Sequence, residues 1–200
     1  MVKSEWMDYL KFRKMNAQVD LRNYLKKGVL SNELDLERAL ILDRKLRLLV
    51  KEHPELADER RQLRIIIKAY EKNHWSAGSD ISDTKLKESD NAEFFAEQER
   101  KFNEARKKYI KEKINSLNLS QQDLGKILGH GKSYMSELLN GISPFSIRDL
   151  IILHRLFHIK LELLLPTFIS QKDKEKINDS LIKLNKADLL KLEKEDLVCT

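Results

Sequence analysis

Histidines four residues apart on one helix can hold a metal ion, and His154 and His158 have that spacing. The intervening Arg155, Leu156 and Phe157 lack the glutamate of a zinc-hydrolase helix, and no cysteine lies near, so a packed or solvated pair outweighs a ligand pair. His53 and His74 fall at expected helix ends, where an imidazole meets the negative end of the helix dipole. Cys199, the single cysteine, can form no internal disulfide and has no partner base to make it a nucleophile. The chain carries neither a phosphate-binding glycine loop nor a nucleophile elbow. These observations predict a protein that is not an enzyme and needs no metal or cofactor.

Binding chemistry is better represented. The formal charge is +6, and it is unevenly spread. Residues 100–166 hold twelve lysines and arginines against six carboxylates, while the rest of the chain balances at twenty-six of each. A local basic excess can displace counterions from a polyanion such as DNA. Arg106, Lys107, Lys108 and Lys111, taken alone, could equally solvate a helix face. With 41% hydrophobic content in 200 residues, the chain can bury a core in one or two domains. No apolar run approaches a membrane span, and the segment MVKSEWMDYLKFRK mixes charge with aromatic residues where a secretory signal would be apolar. A soluble, cytoplasmic protein is expected.

The elements that would position this chemistry are most legible in residues 119–141, LSQQDLGKILGHGKSYMSELLNG. Ser120 and Asp123 have capping-box spacing, and Leu124, Ile127 and Leu128 then give a helix one apolar face. Gly129 and Gly131 supply a tight turn. Met135, Leu138 and Leu139 repeat the apolar spacing on a second short helix, leaving Lys132, Ser133, Ser136 and Glu137 opposite, and Asn140 and Gly141 end it. This order resembles the lambda-repressor/Cro-like (XRE) helix-turn-helix domain. Ser146 and Asp149 form another capping box, with Ile147, Leu150, Ile151, His154 and Phe157 as the expected apolar stripe, and Pro166 closes the module. Two residues depart from the family pattern: Gly125 stands where alanine is usual, and Gly131 replaces a Ser/Thr cap.

The rest of the chain also reads as helical, and the fold expected is all-α: a helical hairpin, a five-helix helix-turn-helix domain and a helical extension. Residues 4–27 suggest a first helix, with Trp6, Leu10, Leu21, Tyr24 and Leu25 available to pack. A second is capped by Asn32 and Asp35 and buries Leu36, Ala39, Leu40, Leu46, Leu49 and Val50. A third starts at Pro54 and buries Leu56, Leu63, Ile66, Ile67 and Tyr70. After the Ser- and Asp-rich residues 76–89, a long helix is expected from about Asn91, capped by Asp90 and Glu93. Its stripe Ala92, Phe95, Phe102 and Tyr109 is either an intermolecular seam or packs on the chain's own hairpin, while Ile110, Ile114 and Leu117 face the module core. Ser170 and Asp173 would cap a last segment carrying Ile177, Leu181 and Leu184. The divisions are residues 1–75, a linker at 76–90, the DNA module at 91–169 and a tail at 170–200.

The stretch ERALILDRKLRLLVKEHPELADERRQLRIIIKAYEKNHW is similar to the hairpin that precedes the DNA module in HigA-type antitoxins. The basic pair that commonly follows the terminal glycine there is Ile142 and Ser143 here. The resemblance implies an antitoxin that binds a HigB/RelE-like mRNA-cleaving toxin, and residues 1–75, which carry apolar and charged helix faces but no DNA-reading features, are the expected toxin-binding region. It also implies repression of its own operon as a homodimer on operator DNA. Lys132, Ser133, Ser136 and Glu137 match the family's base-facing positions, where lysine suits guanine acceptors and glutamate accepts from cytosine. Gln121 and Asn140 match phosphate-contacting positions, and Tyr134 either touches nucleic acid or is half-buried. Two alternatives stay open: a free-standing XRE-family regulator whose N-terminal region senses a ligand or partner, and a helical scaffold that no longer binds DNA.

Overall fold

The computed structural model describes residues 19–75, 82–166, 169 and 171–190. Its regular elements are helices α1 (Leu21–Lys27), α2 (Glu33–Leu49), α3 (Ala57–His74), α4 (Asp83–Ser116), α5 (Gln121–Leu128), α6 (Lys132–Asn140), α7 (Ile147–Phe157) and α8 (Gln171–Lys183). Short 3-10 turns occupy Pro54–Leu56 and Leu161–Leu163, and no strand occurs among the described residues.

Asp20 is extended, and its side chain accepts the Arg22 N–H at 3.0 Å, so a helix begins at Leu21. The expected single helix over residues 4–27 does not pass through Val19 and Asp20; the residues before Val19, Trp6 and Leu10 among them, lie outside the described residues. Gly28, at φ 68°, closes α1 in the left-handed region. The Asn32 side chain accepts from the Asp35 N–H at 2.9 Å and starts α2, which packs antiparallel on α3 as the spacing predicts. Leu36, Ala39, Leu42 and Leu46 meet Leu63, Ile66, Ile67 and Tyr70, and α1 closes this core with Leu21 and Tyr24. Tyr70 Oη and Trp75 Nε1 both donate to the buried Glu33 carboxylate, at 2.9 and 3.2 Å, which pins the far end of the hairpin.

The long helix begins well before Asn91. Ser82 Oγ accepts from the Lys85 N–H at 3.3 Å, and α4 runs unbroken from Asp83. Its first half lies along α2, where Arg38 forks onto Glu99 with Nε 2.7 Å from Oε2. Its buried line is Ala92, Ala96, Phe102, Arg106, Ile110 and Ile114. The heptad stripe Phe95, Phe102, Tyr109 is not a free seam: Phe102 is 6% exposed inside this chain, Phe95 is half-buried, and Tyr109 has turned outward. A straight helix drifts about 20° per heptad, about 40° from Phe95 to Tyr109, which carries Tyr109 away from the buried line. Leu117, expected in the module core, is exposed beyond the helix end.

The second core gathers Ile110 and Ile114 of α4, Leu124 and Leu128 of α5, Met135, Leu138 and Leu139 of α6, and Leu150, Leu153 and Phe157 of α7. The expected α7 stripe needs correction, because Ile147 (76% exposed) and Ile151 face solvent. The true stripe is Leu150, Leu153 and Phe157, spaced i, i+3, i+7. The Ser170 cap proposed for α8 and Cys199 lie outside the described residues.

Candidate nucleic-acid interface

Both capping boxes form. Ser120 Oγ accepts from the Asp123 N–H at 3.2 Å and Asp123 Oδ2 accepts from the Ser120 N–H at 3.1 Å, which fixes the start of α5. The same exchange between Ser146 and Asp149 fixes α7 at 3.1 Å in both directions. Asp149 is almost fully buried, and its Oδ1 lies 3.0 Å from His130 Nε2 in the turn between α5 and α6. The His130 ring meets Tyr134 edge-on at 5.1 Å, and Arg148 Nη1 donates to the Leu128 carbonyl at 3.2 Å. Gly129, at φ 80°, makes the reversal. The turn is thus held from both flanking helices, which sets the direction of α6.

Gly125 has a steric reason. A Cβ there would stand 2.8 Å from the His130 carbonyl oxygen, while the His130 N–H donates to the Gly125 carbonyl at 2.7 Å. The turn backbone is drawn onto α5 so closely that a methyl group does not fit. Gly131 caps α6 with no side-chain hydrogen bond, leaving its first amides uncovered.

Each candidate site residue can now be placed. Gln121 is half-buried at the first position of α5. Lys132 is exposed at the first position of α6. Ser133 is half-buried, and its Oγ donates to Glu55 Oε1 of the Pro54–Leu56 turn at 2.8 Å. Tyr134 is half-buried, with the Arg22 guanidinium 5.4 Å above its ring. Ser136 is 7% exposed and Glu137 is 4% exposed. Asn140 Nδ2 donates back to the Ser136 carbonyl at 2.8 Å, and its Oδ1 accepts from Lys107 Nζ at 2.6 Å. Lys45 Nζ of α2 donates to the Asn140 carbonyl at 2.9 Å.

The structure therefore holds the expected base-facing set on one short helix, but against the N-terminal unit. Arg22 of α1 lies 2.9 Å from Glu137 Oε2 through Nη1 and 3.1 Å from Oε1 through Nη2. The same Nη1 donates to Ser143 Oγ at 2.8 Å, and Ser143 Oγ donates to Glu137 Oε2 at 2.9 Å. The Glu137 side chain holds the Arg22 guanidinium charged, moving its pKa further up. Ile142, just past α6, has no exposed surface and packs in the N-terminal core, with its carbonyl accepting the Leu21 N–H at 3.1 Å.

Sequence reasoning missed Arg22, Lys45 and Glu55, which come from the N-terminal unit. The available signal was Ile142 and Ser143 standing where a basic pair is usual: an apolar residue at the first of these positions suits a buried protein contact, and neither supplies a cation for phosphates. Arg106 also changes role. It is buried, donating to the Leu164 carbonyl at 3.3 Å and to Asn103 Oδ1 at 2.7 Å between the rings of Phe102 and Phe145. Burial lowers its pKa to about 10, so it is a structural cation and unavailable to phosphates. Lys108 and Lys111 remain exposed. His154 Nδ1 faces the Ile159 carbonyl at 2.9 Å, and His158 ends α7 at φ 53°, exposed, so the two do not converge.

Residues 110–164 match the helix-turn-helix family model, which spans the end of α4, α5, α6, α7 and the Leu161–Leu163 turn. Over these residues the chain is similar to a helix-turn-helix DNA-binding module of XRE type. No curated protein and no solved structure matches the chain. Among the described residues no helix is long and apolar enough to cross a membrane.

Proposed function

We propose that this protein is a cytoplasmic, sequence-specific DNA-binding repressor of antitoxin type, which reads its own operator through α6 and neutralises an mRNA-cleaving toxin through residues 1–75. The observation that carries the DNA half is the match of residues 110–164 to a helix-turn-helix, within residues 100–166, which hold twelve lysines and arginines against six carboxylates. The toxin half is supported by the resemblance of the α2–α3 hairpin to that of HigA-type antitoxins. Lys132, Ser133, Ser136 and Glu137 are the proposed base-reading residues, with Tyr134 beside them and Gln121 and Asn140 toward phosphate. A homodimer on a palindrome is part of the proposal, since a single recognition helix reads few base pairs. A free-standing regulator is favoured by one observation: the N-terminal unit touches the reading helix itself, as a sensor region would.

The test is gel-shift titration at fixed salt with the duplex upstream of the gene and a random duplex of equal length. Preference for the upstream duplex is expected, and Lys132→Ala should cost about 1–3 kcal/mol there without altering the helical circular dichroism. Equal affinity for both duplexes in wild type and variant sinks the repressor reading. Co-purification with the product of the adjacent gene separates antitoxin from free-standing regulator.

A further inference from the structure

A helix that reads DNA must leave one side open to the groove, because side chains have to reach base edges. In α6 five consecutive residues, Met135 to Leu139, are all buried. At about 100° per residue, five positions pass completely around a helix. The inner side is covered by the module's own core. The outer side is met by the N-terminal unit at four points. These are Arg22 on Glu137 and Ser143, Glu55 on Ser133, Lys45 on the Asn140 carbonyl, and Ile142 seated in the N-terminal core.

We propose that α1 and the Pro54–Leu56 turn form an intramolecular cover over the reading helix, so that this fold is the DNA-excluded state and DNA binding requires the cover to leave. The proposal rests on the DNA-reading role of α6. The contacts compete directly with that role. The Glu55 carboxylate accepts the Ser133 hydroxyl hydrogen bond that a base edge or phosphate would accept. Arg22 occupies both oxygens of Glu137, the acceptor atoms a cytosine amino group would need.

The cover is built to be reversible. The Arg22 side chain is 50% exposed, so water and salt screen it from outside while it neutralises a carboxylate that is 5% exposed. A seven-residue helix has little stability of its own, so α1 is held only by what it packs on, and Gly28 joins it to α2. Removing Arg22 leaves Glu137 buried with Ser143 as its remaining hydrogen-bond partner, an arrangement that favours opening. Because apparent affinity scales with the fraction of competent molecules, opening shows directly as tighter DNA binding.

The experiment uses the full chain in a Cys199→Ser background, with the upstream duplex as probe. Arg22→Glu should bind it at least fivefold more tightly than the parent. In an Arg22→Cys/Ser143→Cys variant, joining the thiols with a short reversible bis-methanethiosulfonate should weaken binding at least tenfold, and reduction should restore it. As a measurement without DNA, a thiol at Ser136→Cys should react with a maleimide at least tenfold faster when Arg22→Glu is also present. Equal DNA binding by the parent, the open variant and the joined form, or equal labelling rates with and without Arg22→Glu, overturns the cover. Absence of preference for the upstream duplex in every form overturns the DNA-reading role, and with it the regulation built on that role.

Discussion

At the scale of a residue, Gly125 separates intrinsic propensity from packing. Glycine in a helix interior costs up to about 1 kcal/mol relative to alanine, so propensity alone makes Gly125→Ala stabilising. The structure reverses the sign. The new methyl group would sit 2.8 Å from the His130 carbonyl, a backbone atom tied to α5 by the His130 N–H bond to the Gly125 carbonyl. It cannot turn away as a flexible side chain could. We expect Gly125→Ala to lower unfolding stability by about 1–3 kcal/mol in urea titration and to disturb the turn that aims α6. A more stable variant shows that the turn has room to relax and that the steric reading is wrong.

At the scale of an element, helix starts in the DNA module are local events, and for that reason they were legible. Ser120 with Asp123 and Ser146 with Asp149 announce α5 and α7 within four residues of sequence, and the structure forms both boxes. The two boxes differ in depth, which spacing does not encode. Asp149 is buried and also faces His130 across the turn, so Asp149→Ala removes a cap and leaves an interior imidazole nitrogen without its partner. Thermal denaturation should show a loss of about 2–4 kcal/mol for Asp149→Ala and a clearly smaller loss for Asp123→Ala. Equal losses mean that the His130 contact contributes nothing. What sequence did not disclose is long-range or phase-dependent. Ile147 and Ile151 share the alphabet of a buried stripe but face solvent, because Leu150, Leu153 and Phe157 take the inward side of α7. The start of α4 at Asp83 hung on Ser82, a serine among several in that stretch. Arg106 reads as surface charge until Phe102, Phe145 and the Leu164 carbonyl close around it.

At the scale of the whole molecule, Lys45 records how the two halves are joined. It reaches from α2 to the last carbonyl of α6, and α4, continuous into the DNA module, supplies the cations beside it. Burial is the main cause that lowers the Lys45 pKa to about 8; Arg100, Lys107 and Arg106 push it further down and Glu104 opposes them. An unfolded lysine titrates near 10.4. Below about pH 8 both states hold the proton, and the penalty for burying the charge is fully present. As pH rises from about 8 toward 10.4, the folded chain releases this proton first and the unfolded chain still binds it. Stability from this group therefore increases with pH. Tyr24 and Tyr70 act in the opposite sense at higher pH. Burial raises both phenols above their ordinary value, so folded tyrosine stays protonated while unfolded tyrosine ionises near pH 10. The useful window closes near pH 9.5 for that reason. Between pH 7.5 and 9.5 the Lys45 contribution to unfolding free energy should rise by roughly 1–2 kcal/mol, read as the difference between wild type and Lys45→Met in urea titrations at each pH. Lys107, also lowered by burial, titrates in the same sense in both proteins. If wild type and Lys45→Met follow the same pH dependence, Lys45 is not buried between the halves, and the joining of the N-terminal unit to the end of α6 is wrong.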